Sequence, residues 1–256
     1  KSYIYMNADK FLSVENFQNL KSKIDRLKTG EPLAYILGYK YFWDQKLKVT
    51  QDTLIPRADT EILVQVVLDS ILRESADLRI LDLGTGTGAI ALALAGELPK
   101  AQITAVDFSV KALEIAKENA VSNSIANVEL TQSDWYRNLK AMEFDIIVSN
   151  PPYIDNDDDD IDIEVKAYEP ASALFADDNG LADIEKIISQ AKDFLVPNGS
   201  LYIEHGYTQS ADVQTIFKKY SFISIETIQD LNGRDRCSKA EKSFSEKVVS
   251  LNAKNK

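Results

Sequence analysis

The sequence predicts an α/β protein built on a doubly wound, mostly parallel sheet. Three observations carry this. Strand-like and helix-like segments alternate from residue 79 to residue 229. The first of those strands enters a glycine-rich turn, Gly84-Thr85-Gly86-Thr87-Gly88, which opens a helix. The fourth ends in Asn150-Pro151-Pro152-Tyr153, and ligands of open α/β sheets gather at the carboxyl ends of strands.

Each element follows from local pattern. Phe17, Leu20, Ile24 and Leu27 recur at helical spacing, and Gly30-Glu31-Pro32 ends that stripe. Gly38-Tyr39-Lys40-Tyr41-Phe42-Trp43 and Lys46-Leu47-Lys48-Val49-Thr50 read as the arms of a β-hairpin turning near Asp44-Gln45. A helix begins at Thr60, with Glu61 in its first turn and Ile62, Leu63, Val66, Val67 and Ile71 as its apolar face. Strands are then expected over Arg79–Leu83, Gln102–Asp107, Val128–Gln132, Phe144–Ser149, 200–204 and 222–229. Helices are expected from residue 89, over Val110–Ser122, 181–194 and 209–219. The segment 222–229 is the last clear strand. From Ser238 the chain is polar, with Val248-Val249 as a strand remnant, so an unstructured tail is expected. These boundaries give a helical region over 1–37, a hairpin linker over 38–59, a sheet domain over 60–237 and a tail over 238–256.

The 256 residues, 45% hydrophobic and 27% charged, suit one large soluble α/β domain with a small appendage. The single cysteine, Cys237, excludes an internal disulfide and a cysteine-rich metal site. The single histidine, His205, excludes most histidine-dependent metal or triad chemistry, so no metal is expected. No apolar run approaches a membrane span and no signal peptide is visible, so a cytoplasmic protein without a membrane partner is expected. A net charge of −11 without a long basic cluster argues against nucleic acid as substrate. A start at Lys1 rather than methionine leads us to expect a missing amino-terminal piece.

The glycine turn permits close backbone approach, and the helix start is expected to offer free N–H groups. Asp107 ends the next strand, where a carboxylate grips ribose hydroxyls. On this element alone NAD and other nucleoside cofactors stay open. Two later features favour S-adenosyl-L-methionine. Ser133-Asp134-Trp135 follows the third strand, where Asp134 would hold an adenine amino group and Trp135 would stack on the base; Trp135 as a core aromatic is the alternative. Asn150-Pro151-Pro152-Tyr153 follows the fourth, and its two prolines stiffen a slot of acceptors beside an aromatic face. Such a slot suits a planar NH2 group.

Three segments carry a family likeness: Glu31-Pro32-Leu33-Ala34-Tyr35-Ile36-Leu37-Gly38, Leu54-Ile55-Pro56-Arg57-Ala58-Asp59-Thr60-Glu61, and the glycine turn taken with Asn150-Pro151-Pro152-Tyr153-Ile154. Together they resemble the protein-(glutamine-N5) methyltransferases, nearest the branch acting on peptide chain release factors. The Asn-Pro-Pro-Tyr slot alone is shared with amino methyltransferases of DNA.

The resemblance implies a Rossmann-like class I S-adenosylmethionine-dependent methyltransferase sheet, preceded by a truncated helical substrate-recognition domain and a hairpin. It implies methylation of the glutamine in the Gly-Gly-Gln tip of bacterial class 1 release factors. Gly84, Thr85, Gly86, Thr87, Gly88, Asp107, Asp134, Trp135 and Asn150 would then contact the cofactor. Asn150, Pro151, Pro152 and Tyr153 would hold the glutamine. Arg57 would position the cofactor or the loop over it, with a surface ion pair as the alternative.

Three departures stand out: Ala58 replaces a usual proline, the helical region is short, and 237–256 is too polar for the apolar strand that normally closes the sheet. Asp157, Asp158, Asp159 and Asp160 read most simply as a solvated loop. A ribosomal-protein glutamine and a DNA base remain as alternative substrates.

Overall fold

A computed structural model describes residues 2–71, 77–139, 142–158 and 161–244. The chain opens with helices α1 (Ser2–Met6), α2 (Val14–Lys28) and α3 (Leu33–Leu37), followed by the hairpin β1 (Tyr39–Phe42) and β2 (Gln45–Lys48). Then come α4 (Thr60–Ser70), β3 (Arg79–Leu83), α5 (Ala89–Glu97), β4 (Gln102–Asp107), α6 (Val110–Ser122), β5 (Val128–Gln132) and β6 (Phe144–Ser149). After β6 lie the short strand β7 (Ile154–Asp155), α7 (Ile163–Tyr168), β8 (Phe175–Ala176) and an irregular turn, α8 (Asp177–Gly180). The chain continues through α9 (Ala182–Phe194), β9 (Leu195–Glu204), α10 (Ser210–Lys219), β10 (Ile223–Gln229) and β11 (Asp235–Glu241).

Seven strands form the main sheet in the order β10-β11-β9-β6-β3-β4-β5. β3 pairs in parallel with both β4 and β6, so the strand order reverses there. That reversal brings the carboxyl ends of β3, β4, β5 and β6 around one crevice, the place where doubly wound sheets bind ligands. Asp107 is the last residue of β4, and the glycine turn, Trp135 and Asn150 follow the ends of β3, β5 and β6.

Apolar residues cover both faces of the sheet. On one face Leu63, Val64 and Val67 of α4 and the apolar residues 89–95 of α5 pack against Ile80, Ile103 and Val148. Residues 89–95 of α5 are all buried, because the hairpin covers its outer side with Phe42 and Leu47. Asn119 pins the hairpin: its Oδ1 accepts the Lys48 amide at 2.6 Å, and its Nδ2 donates to Lys48 and Thr87 carbonyls. The other face carries Ile184, Ile187 and Ile188 of α9 and Phe217 of α10 against Leu81, Ile147 and Leu201.

The structure corrects several expectations. Phe42 pairs with Gln45, so the hairpin turns at Trp43-Asp44, one residue early, with Trp43 at φ +52°. β9 starts at Leu195 and reaches the regular ladder through an irregularity around residues 196–199. The polar segment after Arg236 is not a tail at its start: β11 runs to Glu241 between β9 and β10, antiparallel to both. Small side chains make that possible. Cys237, Ser238 and Ala240 are fully buried, and the Ser238 hydroxyl bonds His205 Nε2 at 2.8 Å and Thr227 at 3.0 Å. Val248-Val249 lies outside the described residues. The stripe Phe17, Leu20, Ile24 and Leu27 does form on α2, yet all four side chains are exposed.

Candidate active site

A cavity of about 390 Å³ occupies the crevice at the strand reversal. Gly84, Gly86, Asp107, Asp134, Trp135 and Asn150 line it, so residues predicted from four separate strand ends meet in one place. A second cavity of about 200 Å³ adjoins it, walled by Pro151, Tyr153, Arg57 and, from the segment after the acidic run, Ile161, Asp162 and Val165. Leu54, Asn150 and Ala173 line both. Asn150 therefore stands on the partition between a large chamber and a small one.

The glycine turn is shaped by its own hydrogen bonds. The Gly84 and Thr85 amides both donate to the Val106 carbonyl at 2.9 Å, Gly86 donates to Asp107 Oδ2 at 2.9 Å, and Gly88 donates to the Thr85 carbonyl. The amides of Gly84, Thr85, Gly86 and Gly88 are thus engaged within the protein. Gly84 itself has φ +73°, and a Cβ there would meet the Trp135 ring at 3.3 Å. Thr85, Thr87 and Gly88 do not line the cavity. Thr85 is buried and donates to Asp82 Oδ2 at 2.6 Å, while Gly88 caps α5.

Asp107 is buried, with Oδ1 accepting the Ser109 amide at 2.8 Å. Burial raises its pKa, and the backbone amides of Ser109, Gly86 and Phe108 oppose that rise, so the carboxylate is held in place at the cavity wall. Asp134 forms an ion pair with Lys186 at 2.8 Å at the rim. Trp135, at φ +49°, donates Nε1–H to Asp183 Oδ1 at 3.2 Å, so its ring is anchored at the chamber and not simply packed in the core.

Behind the slot lies polar machinery that local pattern does not reveal. Arg57 bonds Glu169 Oε1 at 2.5 Å, and Glu169 Oε2 accepts the Ile55 amide at 3.0 Å. The Glu169 side chain is 1% exposed, so Arg57 neutralises a buried carboxylate and ties the 54–57 loop over the second cavity. Tyr153 turns its hydroxyl toward the fully buried Glu204, at 3.4 Å from Oε1. Gln209 Nε2 donates to the carbonyls of Tyr153 and Asn179, both at 2.9 Å. Glu204 sits at the carboxyl end of β9, the one signal by which sequence could have flagged it. Of the acidic run, the Asp157 amide closes a turn on Asp155 and the Asp158 carbonyl accepts Lys166; Asp159 and Asp160 lie outside the described residues. Among the described residues no helix is long and apolar enough to cross a membrane, and no cluster of His, Cys, Asp and Glu could hold a metal ion.

Comparison with known proteins agrees with this geometry. The Methyltransferase small domain family matches residues 58–181 and the PrmC N-terminal domain matches residues 1–38. The chain is 59% identical over 241 residues to a release factor glutamine methyltransferase of Francisella tularensis, covering 94% of this chain and 85% of that protein. It is 46% identical over 237 residues to the protein of that name from Vibrio cholerae, covering 92% and 82%. Two solved structures share the fold at low identity. A methyltransferase from Pyrococcus furiosus aligns with a TM-score of 0.58 at 20% identity, over 88% of this chain and 98% of that one. A 16S rRNA N2 G1207 methyltransferase from T. thermophilus, in complex with AdoMet and guanosine, aligns at 0.57 and 17%, over 80% and 49%.

Proposed function

The chain belongs to the release factor glutamine methyltransferase family, and on that premise we propose that it methylates the side-chain amide nitrogen of the glutamine in the Gly-Gly-Gln tip of bacterial class 1 release factors. The methyl donor is S-adenosylmethionine. One observation supports the reading most: Asn150 forms part of both chambers, so a carboxamide entering the small one meets the contents of the large one beside it.

The residues fit the cofactor. A nucleoside finds a buried carboxylate at Asp107 for its ribose hydroxyls and an aromatic ring at Trp135 for its base. Bound S-adenosylmethionine supplies an electrophilic methyl group on positively charged sulfur.

The chain's own contribution is positioning. An amide nitrogen is a poor nucleophile because its lone pair is delocalised into the carbonyl. Asn150 Oδ1 and the Pro151 carbonyl would accept the two amide N–H bonds and aim the nitrogen across the partition, while Pro152 holds the slot stiff and the Tyr153 ring packs on the amide plane. Acceptors that favour a pyramidal nitrogen act more strongly in the transition state than in the ground state. The nitrogen's extra proton then passes to water without a dedicated base, since an N-protonated amide is very acidic.

The substrate reading is tested by incubating the protein with labelled cofactor and, separately, a release factor, a ribosomal fraction and DNA. Label is expected on the release factor alone and at its Gly-Gly-Gln glutamine by mass spectrometry; label on ribosomal protein or DNA instead would overturn the substrate. A second measurement addresses Asp107. Replacing it with alanine removes charge-assisted bonds worth about 1.5–3 kcal/mol. Calorimetry should then show cofactor affinity reduced about 10- to 100-fold.

A further inference from the structure

The Asn150 carboxamide has two chemically different ends, and only one is useful. Its Oδ1 must face the second cavity to accept a substrate N–H; turned over, it would present a donor to a donor. In the structure Nδ2 donates to Thr60 Oγ1 at 3.1 Å, which leaves Oδ1 for the cavity. Thr60 is buried as the first residue of α4. A hydroxyl both donates and accepts, so by itself it fixes neither orientation of its neighbour. The polarity must come from whatever takes the Thr60 proton.

Glu204 is placed to do so. We propose that Glu204, acting through Thr60, is the positioning group that decides which end of the Asn150 carboxamide faces the substrate; this rests on the role given to Asn150 above. Glu204 is 1% exposed, and its Oε2 has no hydrogen-bond partner within bonding distance among the described residues. Helix α4, which Thr60 opens, packs against β9, which Glu204 ends, and the Thr60 hydroxyl acts to lower the Glu204 pKa. An ionised carboxylate can only accept. The Thr60 proton therefore points to Glu204, Thr60 Oγ1 accepts from Asn150, and Oδ1 is left outward. A neutral Glu204 donates to Thr60, which lets the hydroxyl turn its proton on Oδ1 and reverse the carboxamide. The same carboxylate accepts the Tyr153 hydroxyl through Oε1, so one buried charge orders both the acceptor and the ring of the slot.

The groups facing Glu204 are consistent with a charge that is held but not tightly. Burial pushes its carboxyl up to about 7, opposed by Thr60, by the Arg236 guanidinium and by Tyr153, while Asp59 adds to the rise. Arg236, from β11, divides itself between Asp59 at 3.2 Å and Asp230 at 3.4 Å. Cys237, opposite Glu204 in the β9–β11 ladder, is kept a neutral thiol by burial, and burial likewise keeps the Tyr153 phenol protonated. Glu204 is raised above its ordinary value, so its charge, and with it the productive orientation, is present above that pKa and lost as pH falls through it.

The decisive comparison is Thr60→Val against Thr60→Ser, with melting temperatures recorded for each. Valine keeps the shape and removes the relay; serine keeps the hydroxyl. We expect Thr60→Val to lose about tenfold or more in kcat at unchanged cofactor affinity, and Thr60→Ser to stay within about twofold of the parent. In Glu204→Gln, whose amide can feed either polarity, the fall of kcat on the acid side of neutrality should disappear. A readout independent of turnover is the side-chain NH2 signal of Asn150, identified by its loss in Asn150→Ala. It should move in Thr60→Val, hold in Thr60→Ser, and titrate near neutrality in the parent but not in Glu204→Gln. An Asn150 signal unmoved by Thr60→Val, or a Thr60→Val enzyme with parental kcat, overturns the relay. A parent protein that methylates nothing would count against the proposed function instead, and the Asn150 signal would still decide the relay.

Discussion

Replacing Asn150 with alanine is expected to lower methyl transfer to a release factor by about 10²- to 10³-fold, the scale seen when one preorganised polar contact to a transition state is removed. Cofactor binding should change little. Asn150 is one wall residue among many in the large chamber, where Asp107 and the Trp135 face supply the stronger contacts. The fold should also tolerate the change: Asn150 is only partly buried, and among the described residues its side chain bonds Thr60 alone. The measurement is single-turnover mass spectrometry of the release factor, with calorimetric titration of the cofactor alongside. Methylation near the parental rate would remove Asn150 from the chemistry and with it the role given to the partition between the two cavities.

The part of the site that was legible in the sequence lies where local pattern and position coincide. Apolar runs mark β3, β4 and β6, and each ends at or beside residues that line the crevice, so position along the chain and position in the cavity coincide. β11 was not legible for a physical reason. Its buried positions hold Cys237, Ser238 and Ala240, which have too little apolar surface to stand out, and the Ser238 hydroxyl is satisfied only by His205 and Thr227 brought in by pairing. Glu169 and Glu204 escaped for a related reason. A buried carboxylate looks like any other charged residue until its partners arrive, and Glu169 meets Ile55 and Arg57 from more than 100 positions away. The glycine turn was legible as a turn but not in its hydrogen bonding. The Val106 carbonyl and Asp107 side chain that occupy its amides belong to the neighbouring strand.

The second large effect is expected at Gly180, a residue that touches neither cavity. Gly180 has φ +80° and follows two non-glycine residues, Asp178 and Asn179, that are also left-handed at φ +55°. This tight left-handed turn presses on the back of the slot. A Cβ at position 180 would lie 2.1 Å from the Tyr153 carbonyl oxygen, 2.6 Å from its carbon and 2.8 Å from Gln209 Nε2. Those three atoms belong to the clamp in which Gln209 holds the Tyr153 and Asn179 carbonyls together. Gly180→Ala must therefore displace Tyr153 or open the clamp. Backbone strain at such a position costs about 1–3 kcal/mol, which a domain of this size registers as a fall of a few degrees in Tm. The loss of activity should be larger than that stability change predicts, about 100-fold in kcat at a temperature where the variant is fully folded, because a displacement of about 1 Å in a positioning element costs that much. Gly233→Ala separates the two effects. Gly233, between β10 and β11, has nearly the same φ of +76°, but no atom lies within 4 Å of a Cβ placed there. It should carry the backbone strain without the clash, lose less stability than Gly180→Ala, and keep its kcat. Equal activity in the two variants would mean that the Tyr153 carbonyl can move without consequence, and that the stiffness of the Asn-Pro-Pro-Tyr slot does not set the rate.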